Sequence, residues 1–219
     1  MRILLIAATG FEVKDFASKM GILLSEEPGM YTNANNKVAI LVTGVGMVNT
    51  AYACGRSITN DFDLIINAGI CGAFNRNIKL GENVIVVEDA VSEMGAEDGR
   101  NFVPYREMGL PGTNIYLNES KFENSSIKKL RKVKGITVNK VHGDIESIAE
   151  AYKRWQPDVE SMEGAAFFYA CSHWNIPYLQ IRSVSNYVEK RDRSKWKLDL
   201  AIKNLNELLF DLTKELNPE

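Results

Sequence analysis

Cysteine and histidine are scarce: three thiols (Cys54, Cys71, Cys171) and two imidazoles (His142, His173) in 219 residues. The thiols are odd in number, widely separated and contain no CxxC pair, so neither a disulfide framework nor a zinc site is expected. The histidines are too few for a His-rich metal site, and each reads as a surface or hydrogen-bonded residue. Long apolar runs are also missing: none reaches the ~18 residues of a membrane span. The start, MRILLIAATGFEV, lacks the longer apolar core and the small-residue cleavage site of a secretion signal, so a cytoplasmic location is expected. No charge sign dominates. The formal net charge is −2, which leaves no electrostatic footprint for nucleic acid or an anionic membrane. The chain is 45% apolar and 25% charged, ordinary proportions for a globular protein. Its length suits one sizeable core and no repeat or linker divides it, so a single domain over residues 1–219 is expected.

Arg2–Ala8 is a continuous apolar run, as in a strand covered on both faces. Phe11–Ile22 follows at close to helical spacing. Lys37–Thr43 is a second strand, and Gly44-Val-Gly46 leads into a helix over Met47–Ser57. Asp63–Ala68 and Glu82–Glu88 are further strands. This alternation predicts an α/β fold with a mostly parallel, buried sheet. Ser92–Asn114 is polar and rich in Gly and Pro, a long loop of the kind that carries function or moves. Phe122–Val133 reads as a helix, Ile136–Lys140 as a strand, Glu163–His173 as a helix and Tyr178–Val184 as a buried strand. Ser194–Leu216 closes the chain as a long amphipathic helix.

Ligands of open α/β sheets bind beyond the carboxyl ends of the strands, and four segments fall there. Ala8-Thr-Gly-Phe-Glu12 places a carboxylate at the rim, where it either activates water or simply accompanies a helix start. Gly44-Val-Gly46-Met-Val-Asn49 resembles a dinucleotide fingerprint, but Asn49 stands where the third glycine belongs and no ribose-binding acid is evident. Such a turn can still present backbone N–H groups to a ligand. Asn67-Ala-Gly69-Ile-Cys71-Gly72 lets backbone approach a planar ligand. Cys71 has no histidine placed to activate it and reads as a small buried thiol. Last, Met162-Glu163-Gly164 and Ser185-Asn186 pair a carboxylate at a helix start with an amide just past a strand. The carboxylate can accept two hydrogen bonds from a ribose diol, and the amide can both donate to and accept from a heterocycle edge.

These segments together resemble the nucleoside phosphorylase and nucleosidase family. The carriers are Phe11-Glu12-Val13, Thr43-Gly-Val-Gly-Met, Ile66-Asn-Ala-Gly-Ile-Cys-Gly-Ala73, Val141-His-Gly-Asp144, Val159-Glu-Ser-Met-Glu-Gly-Ala165 and Arg182-Ser-Val-Ser-Asn186, in order over nearly the whole chain. The resemblance implies a three-layer α/β/α fold with a mixed, twisted central sheet. It also implies a homo-oligomer, a dimer or higher, in which a neighbour commonly completes a nucleoside site. No cofactor or metal is implied, and the only other partner is a small-molecule nucleoside. Carried over by position, Glu12 activates water, Met162 and Glu163 hold the ribose, and Asn186 contacts the purine at N7 and its neighbours. Gly69, Ile70 and Cys71 line base and sugar, with Val45 also on the substrate. Glu146 and Ser147 edge the base, where the match is loose.

Within this resemblance two departures select the chemistry. Bacterial phosphorylases of the family carry Arg at the start of the Gly-x-Cys-Gly segment and another after the first strand. Here those places hold Asn67 and Thr9–Glu12, which favours water over phosphate. The family's adenine-cleaving nucleosidases carry Asp where this chain has Asn186. A neutral amide suits a 6-oxopurine, so hypoxanthine is the expected base and futalosine, in menaquinone biosynthesis, the expected nucleoside. Its 5′ arm ends in an aromatic carboxylate, for which Arg100, Phe102, Tyr105 and Arg106 in the long loop are candidates. The alternatives are a methylthioadenosine/adenosylhomocysteine nucleosidase, an inosine-type phosphorylase, a non-catalytic nucleoside binder on the same fold and, last, a Rossmann dehydrogenase.

Overall fold

The first strand shows how the layers form. In the computed structural model, which describes residues 1–99, 101–122 and 124–218, β1 (Ile3–Ala7) is buried along its whole length. Successive side chains of a strand point to opposite faces. Leu4 and Ile6 therefore enter one core and Ile3, Leu5 and Ala7 another. After β1 a short 3-10 turn (Gly10–Val13) leads into α1 (Lys14–Lys19). Then come β2 (Gly29–Thr32), β3 (Val38–Val42), α2 (Met47–Ser57), β4 (Leu64–Ala73) and β5 (Asn83–Val91). A hairpin, β6 (Gly95–Asp98) and β7 (Asn101–Pro104), stands apart as its own two-stranded sheet. The chain continues through β8 (Ile115–Leu117), α3 (Ser125–Lys128), β9 (Arg131–Thr137), α4 (Ile145–Trp155), β10 (Val159–Ser161), α5 (Gly164–Cys171), β11 (Tyr178–Tyr187) and α6 (Leu198–Leu216).

The central sheet runs β10-β9-β5-β11-β4-β1-β3-β2, with β8 on β5. It is mixed: β1 is parallel to β3 and β4, while β11 is parallel to β4 and antiparallel to β5. Short β10 pairs with β9 on one side and, antiparallel, with β4 on the other, so five strands close into a ring. One face is covered by α2 and α5, through Cys54, Ile58, Phe167 and Phe168. The other is covered by α1 and α6, through Phe16, Ala17, Leu205, Leu209 and Leu212. This is the expected α/β/α layering. In the apolar stripe of α6 sits one amide, Asn206, 1% exposed. Its Nδ2 donates to the Glu12 carbonyl at 2.8 Å and its Oδ1 accepts the Phe16 N–H at 2.7 Å. The C-terminal helix thereby grips the turn after β1.

Several elements differ from the sequence expectation. Phe122–Val133 is not one helix. Asn124 caps a single turn by accepting the Ile127 N–H at 2.8 Å. The chain then turns extended, because Val133 and its neighbours pair with β5. Strand β9 consequently starts at Arg131 and ends at Thr137, before most of the expected Ile136–Lys140 strand. The segments β2, α4 and β10 were not anticipated as elements. The long loop carries the β6–β7 hairpin and a 3-10 turn at Tyr105–Glu107. The C-terminal helix begins at Leu198, after a separate turn at Arg193–Lys195.

Candidate active site

Four carboxyl-end segments of the sheet converge on one cavity of about 360 Å³. Glu12, from the turn after β1, is 8% exposed. Its Oε2 accepts from the Thr9 N–H at 3.0 Å and the Thr9 hydroxyl at 3.1 Å, and its Oε1 from the Ile70 N–H at 3.1 Å. The simpler role, a carboxylate serving a helix start, therefore holds as well, and it aims the group into the cavity. Burial, and after it the Glu163 carboxylate, push Glu12 above the usual carboxylate range. The Ile70 N–H and the Arg182 guanidinium oppose that rise.

Glu163 immediately precedes α5, and its Oε1 accepts the Gly46 N–H at 3.0 Å. Gly46 has a φ of 99°, a conformation open to glycine and strained for other residues. The Gly44–Gly46 turn thus serves Glu163 and sets Val45 on the cavity rim. Asn186 sits just past a bulge between Val184 and Asn186, where β11 slips against β4. A bulge bends its strand and re-aims the following side chain. The amide is further set by the Ser185 hydroxyl, which donates to Oδ1 at 2.8 Å, and by the Tyr187 carbonyl, which accepts from Nδ2 at 3.0 Å.

Met162, Ile70 and Cys71 line the same cavity. Burial raises the Cys71 thiol to about 12, which makes it an inert wall rather than a nucleophile. Gly69 lies under Glu12: a Cβ there would fall 2.8 Å from Glu12 Oε1 and 3.1 Å from an Arg182 nitrogen. Glu146 and Ser147 are not among the lining residues. Their N–H groups bind Asp144 at the start of α4, and they face a larger open cavity of about 1300 Å³ beneath the hairpin. Phe102 also faces that second cavity, under the Arg154 guanidinium at 3.8 Å. Tyr105 donates to the Pro111 carbonyl and Arg106 lies beside Glu107. None of these three lines the smaller cavity, and Arg100 lies outside the described residues.

Sequence reasoning missed three contributors. Arg182 is 1% exposed and donates to Asn67 Oδ1, while Asn67 Nδ2 donates to the Ile6 carbonyl at 3.1 Å. A cation therefore does stand beside Glu12, but behind the wall. Asn206 holds the Glu12 backbone; an amide within an apolar helical stripe was its only signal. The third is a pair: His142 Nδ1 lies 2.6 Å from Glu160 Oε2, and both line the cavity. His142 belongs to a motif singled out above; the expected hydrogen-bonded residue is what it is, but its place in the cavity had no signal in the sequence.

Residues 2–214 match the model of the phosphorylase superfamily. A futalosine hydrolase of Thermus thermophilus is 28% identical over 172 residues, 75% of this chain and 76% of the relative. A 5′-methylthioadenosine/S-adenosylhomocysteine nucleosidase of Maridesulfovibrio salexigens is 27% identical over 99% of this chain and all of its own length. Among solved structures, the futalosine hydrolase of Helicobacter pylori superposes with a TM-score of 0.83 over 98% of each chain at 13% identity, a likeness of fold.

Proposed function

Because the chain belongs to the phosphorylase superfamily, we propose that it hydrolyses the N-glycosidic bond of futalosine, releasing hypoxanthine for menaquinone biosynthesis. The observation that carries the proposal is the convergence of Glu12, Glu163 and Asn186 on one cavity. Cleavage builds positive charge on the ribosyl ring, and two carboxylates on one wall stabilise that charge as it forms. Glu12, with a raised pKa and three donors fixing its oxygens, is suited to take a proton from water. Met162 and Glu163 hold the ribose, Ile70, Cys71 and Val45 form the walls, and Asn186 faces the base. Arg182, the cation beside Glu12, is sealed behind Gly69 and Asn67, which disfavours phosphate there; the cavity's other guanidinium, Arg191, comes from the segment after β11. The full-length identity to the Maridesulfovibrio protein keeps methylthioadenosine as the second reading. The enzyme works as a homo-oligomer in the cytoplasm, as one domain.

Release of free base from futalosine, methylthioadenosine and inosine, each with and without phosphate, tests the assignment. Hypoxanthine from futalosine, indifferent to phosphate, is expected. Adenine from methylthioadenosine as the main product, or a strict need for phosphate, would overturn it.

A further inference from the structure

Asn186 leaves one chemical need unmet. A purine departs from C1′ with the electron pair of the C1′–N9 bond and leaves far more readily if a proton reaches it. An amide N–H can bind the base but has no proton to give. A carboxylate of the cavity, Glu160, clusters with Asn186 at Gly72. A Cβ on Gly72 would meet Asn186 Nδ2 at 3.3 Å and Glu160 Cγ at 3.5 Å. Glu160 is 4% exposed and holds a histidine at two points. Its Oε1 accepts the His142 N–H at 3.1 Å, and its Oε2 lies 2.6 Å from His142 Nδ1. With a carboxylate at Nδ1, that nitrogen carries a hydrogen, which leaves Nε2 as the working atom. Among the described residues Nε2 has no hydrogen-bond partner. The ring is steadied by Phe74, edge-on at 6.0 Å.

His142 holds one further distinction. Among the described residues it is the only one that lines both the 360 Å³ cavity and the open 1300 Å³ cavity beneath the hairpin. A proton donor must be recharged from solvent between turnovers, and this side chain also borders the larger open cavity.

We propose that His142, oriented by Glu160, is the acid that protonates the departing base; this rests on the hydrolase reading above. In the step, the oxygen of water bonds to C1′ and a water proton passes to Glu12. The C1′–N9 bond breaks with its electron pair going to the base, and the Nε2 proton of His142 goes to N7. Asn186 Nδ2–H binds O6, the acceptor beside N7 on the same edge of a 6-oxopurine. Glu12 then releases its proton to solvent and His142 regains one through the open cavity. The balance is nucleoside plus water to free sugar plus neutral hypoxanthine. Glu160 is the charged group in contact with the ring; the other charged groups on the cavities that His142 borders are Glu12, Glu163, Glu189 and Arg191 around the smaller one and Glu93, Glu97, Glu107, Lys140, Glu146, Glu150, Lys153 and Arg154 around the open one.

The test compares wild type, His142→Gln and Glu160→Gln on futalosine and on 4-nitrophenyl β-riboside, whose leaving group departs as a stable anion and needs no proton. His142→Gln is expected to lower kcat on futalosine about 100-fold, with KM within about threefold and the alkaline fall of the pH profile abolished. Activity on the nitrophenyl riboside stays within about threefold. Glu160→Gln, which keeps the ring and its backbone contact, is expected to lose about tenfold, again on futalosine alone. Equal losses on both substrates would make the pair structural and overturn the proposal. So would a kcat on futalosine within threefold of wild type, or an alkaline fall retained by His142→Gln. If the wild type instead prefers methylthioadenosine, the substrate assignment fails separately, and the same comparison is made on that nucleoside.

Discussion

Glu12 and Asp89 show two uses of a buried carboxylate. Glu12 is open on its cavity side, and as the proposed base its raised pKa is expected to set the pH at which catalysis begins. Protonation removes the base, so kcat should fall as pH drops through a value above the ordinary carboxylate range. Glu12→Gln should abolish that acid limb and lower kcat at least about 100-fold; a pH–rate profile of both proteins checks it, and a near-wild-type rate would end the water-activating role. Asp89 is fully buried. It accepts the Thr137 hydroxyl at 2.7 Å and Gln180 Nε2 at 2.9 Å, yet burial lifts it to about 6. A folded pKa above the unfolded one means that the folded state takes up the proton first. Asp89 therefore costs stability above about pH 6, by roughly 2–3 kcal/mol, and that cost fades as pH falls through 6. In Asp89→Asn the new amide can donate to Gln180 Oε1, a buried atom without a partner here, once the Gln180 amide turns. Urea titrations at pH 5 and pH 8 should show the wild type weaker at pH 8 and the variant with a shallower pH dependence, Glu12 keeping its own share of the slope. Identical pH slopes would contradict this account.

At the scale of elements, the Thr137 hydroxyl also accepts the Ala165 N–H at 2.7 Å, so Asp89, Thr137 and the start of α5 form one chain of hydrogen bonds beneath Glu163. Gly164 makes the approach possible: a Cβ there would lie 2.1 Å from Asp89 Oδ2 and 2.2 Å from Gln180 Nε2. Gly164→Ala is expected to destabilise the fold by about 3 kcal/mol and to weaken nucleoside binding with it; thermal unfolding and KM measured on the same preparation check both. The glycine was legible as part of Met-Glu-Gly-Ala, but its neighbours were not, since Asp89 and Gln180 are 91 residues apart in the chain. Buried runs such as Ile3–Ala7 and Tyr178–Val184 declared themselves as strands because both faces are covered. Strand β9 did not, because Phe122, Ile127, Leu130 and Val133 fall at helical spacing while charged residues mark its exposed positions. Glu12, Glu163 and Asn186 stood at strand ends and could be placed. The Glu160–His142 contact depends on β10 pairing with both β9 and β4, which no local pattern announces.

For the whole molecule, the rim of the cavity continues onto an apolar surface. Val45 is 51% exposed, Val48 79% and Tyr52 67% along α2, and Tyr169 of the adjoining α5 is 49% exposed. Contiguous exposed apolar groups of this kind mark contact surfaces, and the expected homo-oligomer would cover them. Val48→Glu combined with Tyr52→Ser should shift the protein to a smaller species in size-exclusion chromatography with light scattering. If a neighbour completes the site, kcat/KM should fall in parallel; an unchanged mass would place the interface elsewhere.

The backbone of Glu12 is gripped by Asn206, 194 positions later in the chain. At ~5–20 residues per second, roughly 10–40 s of synthesis separate the two. A nascent chain therefore carries Glu12 long before Asn206 can anchor its backbone, although Thr9 and Ile70, which hold its carboxylate, are made early. Chains stalled or cut before α6 should emerge from the ribosome able to build the first strands but unable to cleave a nucleoside.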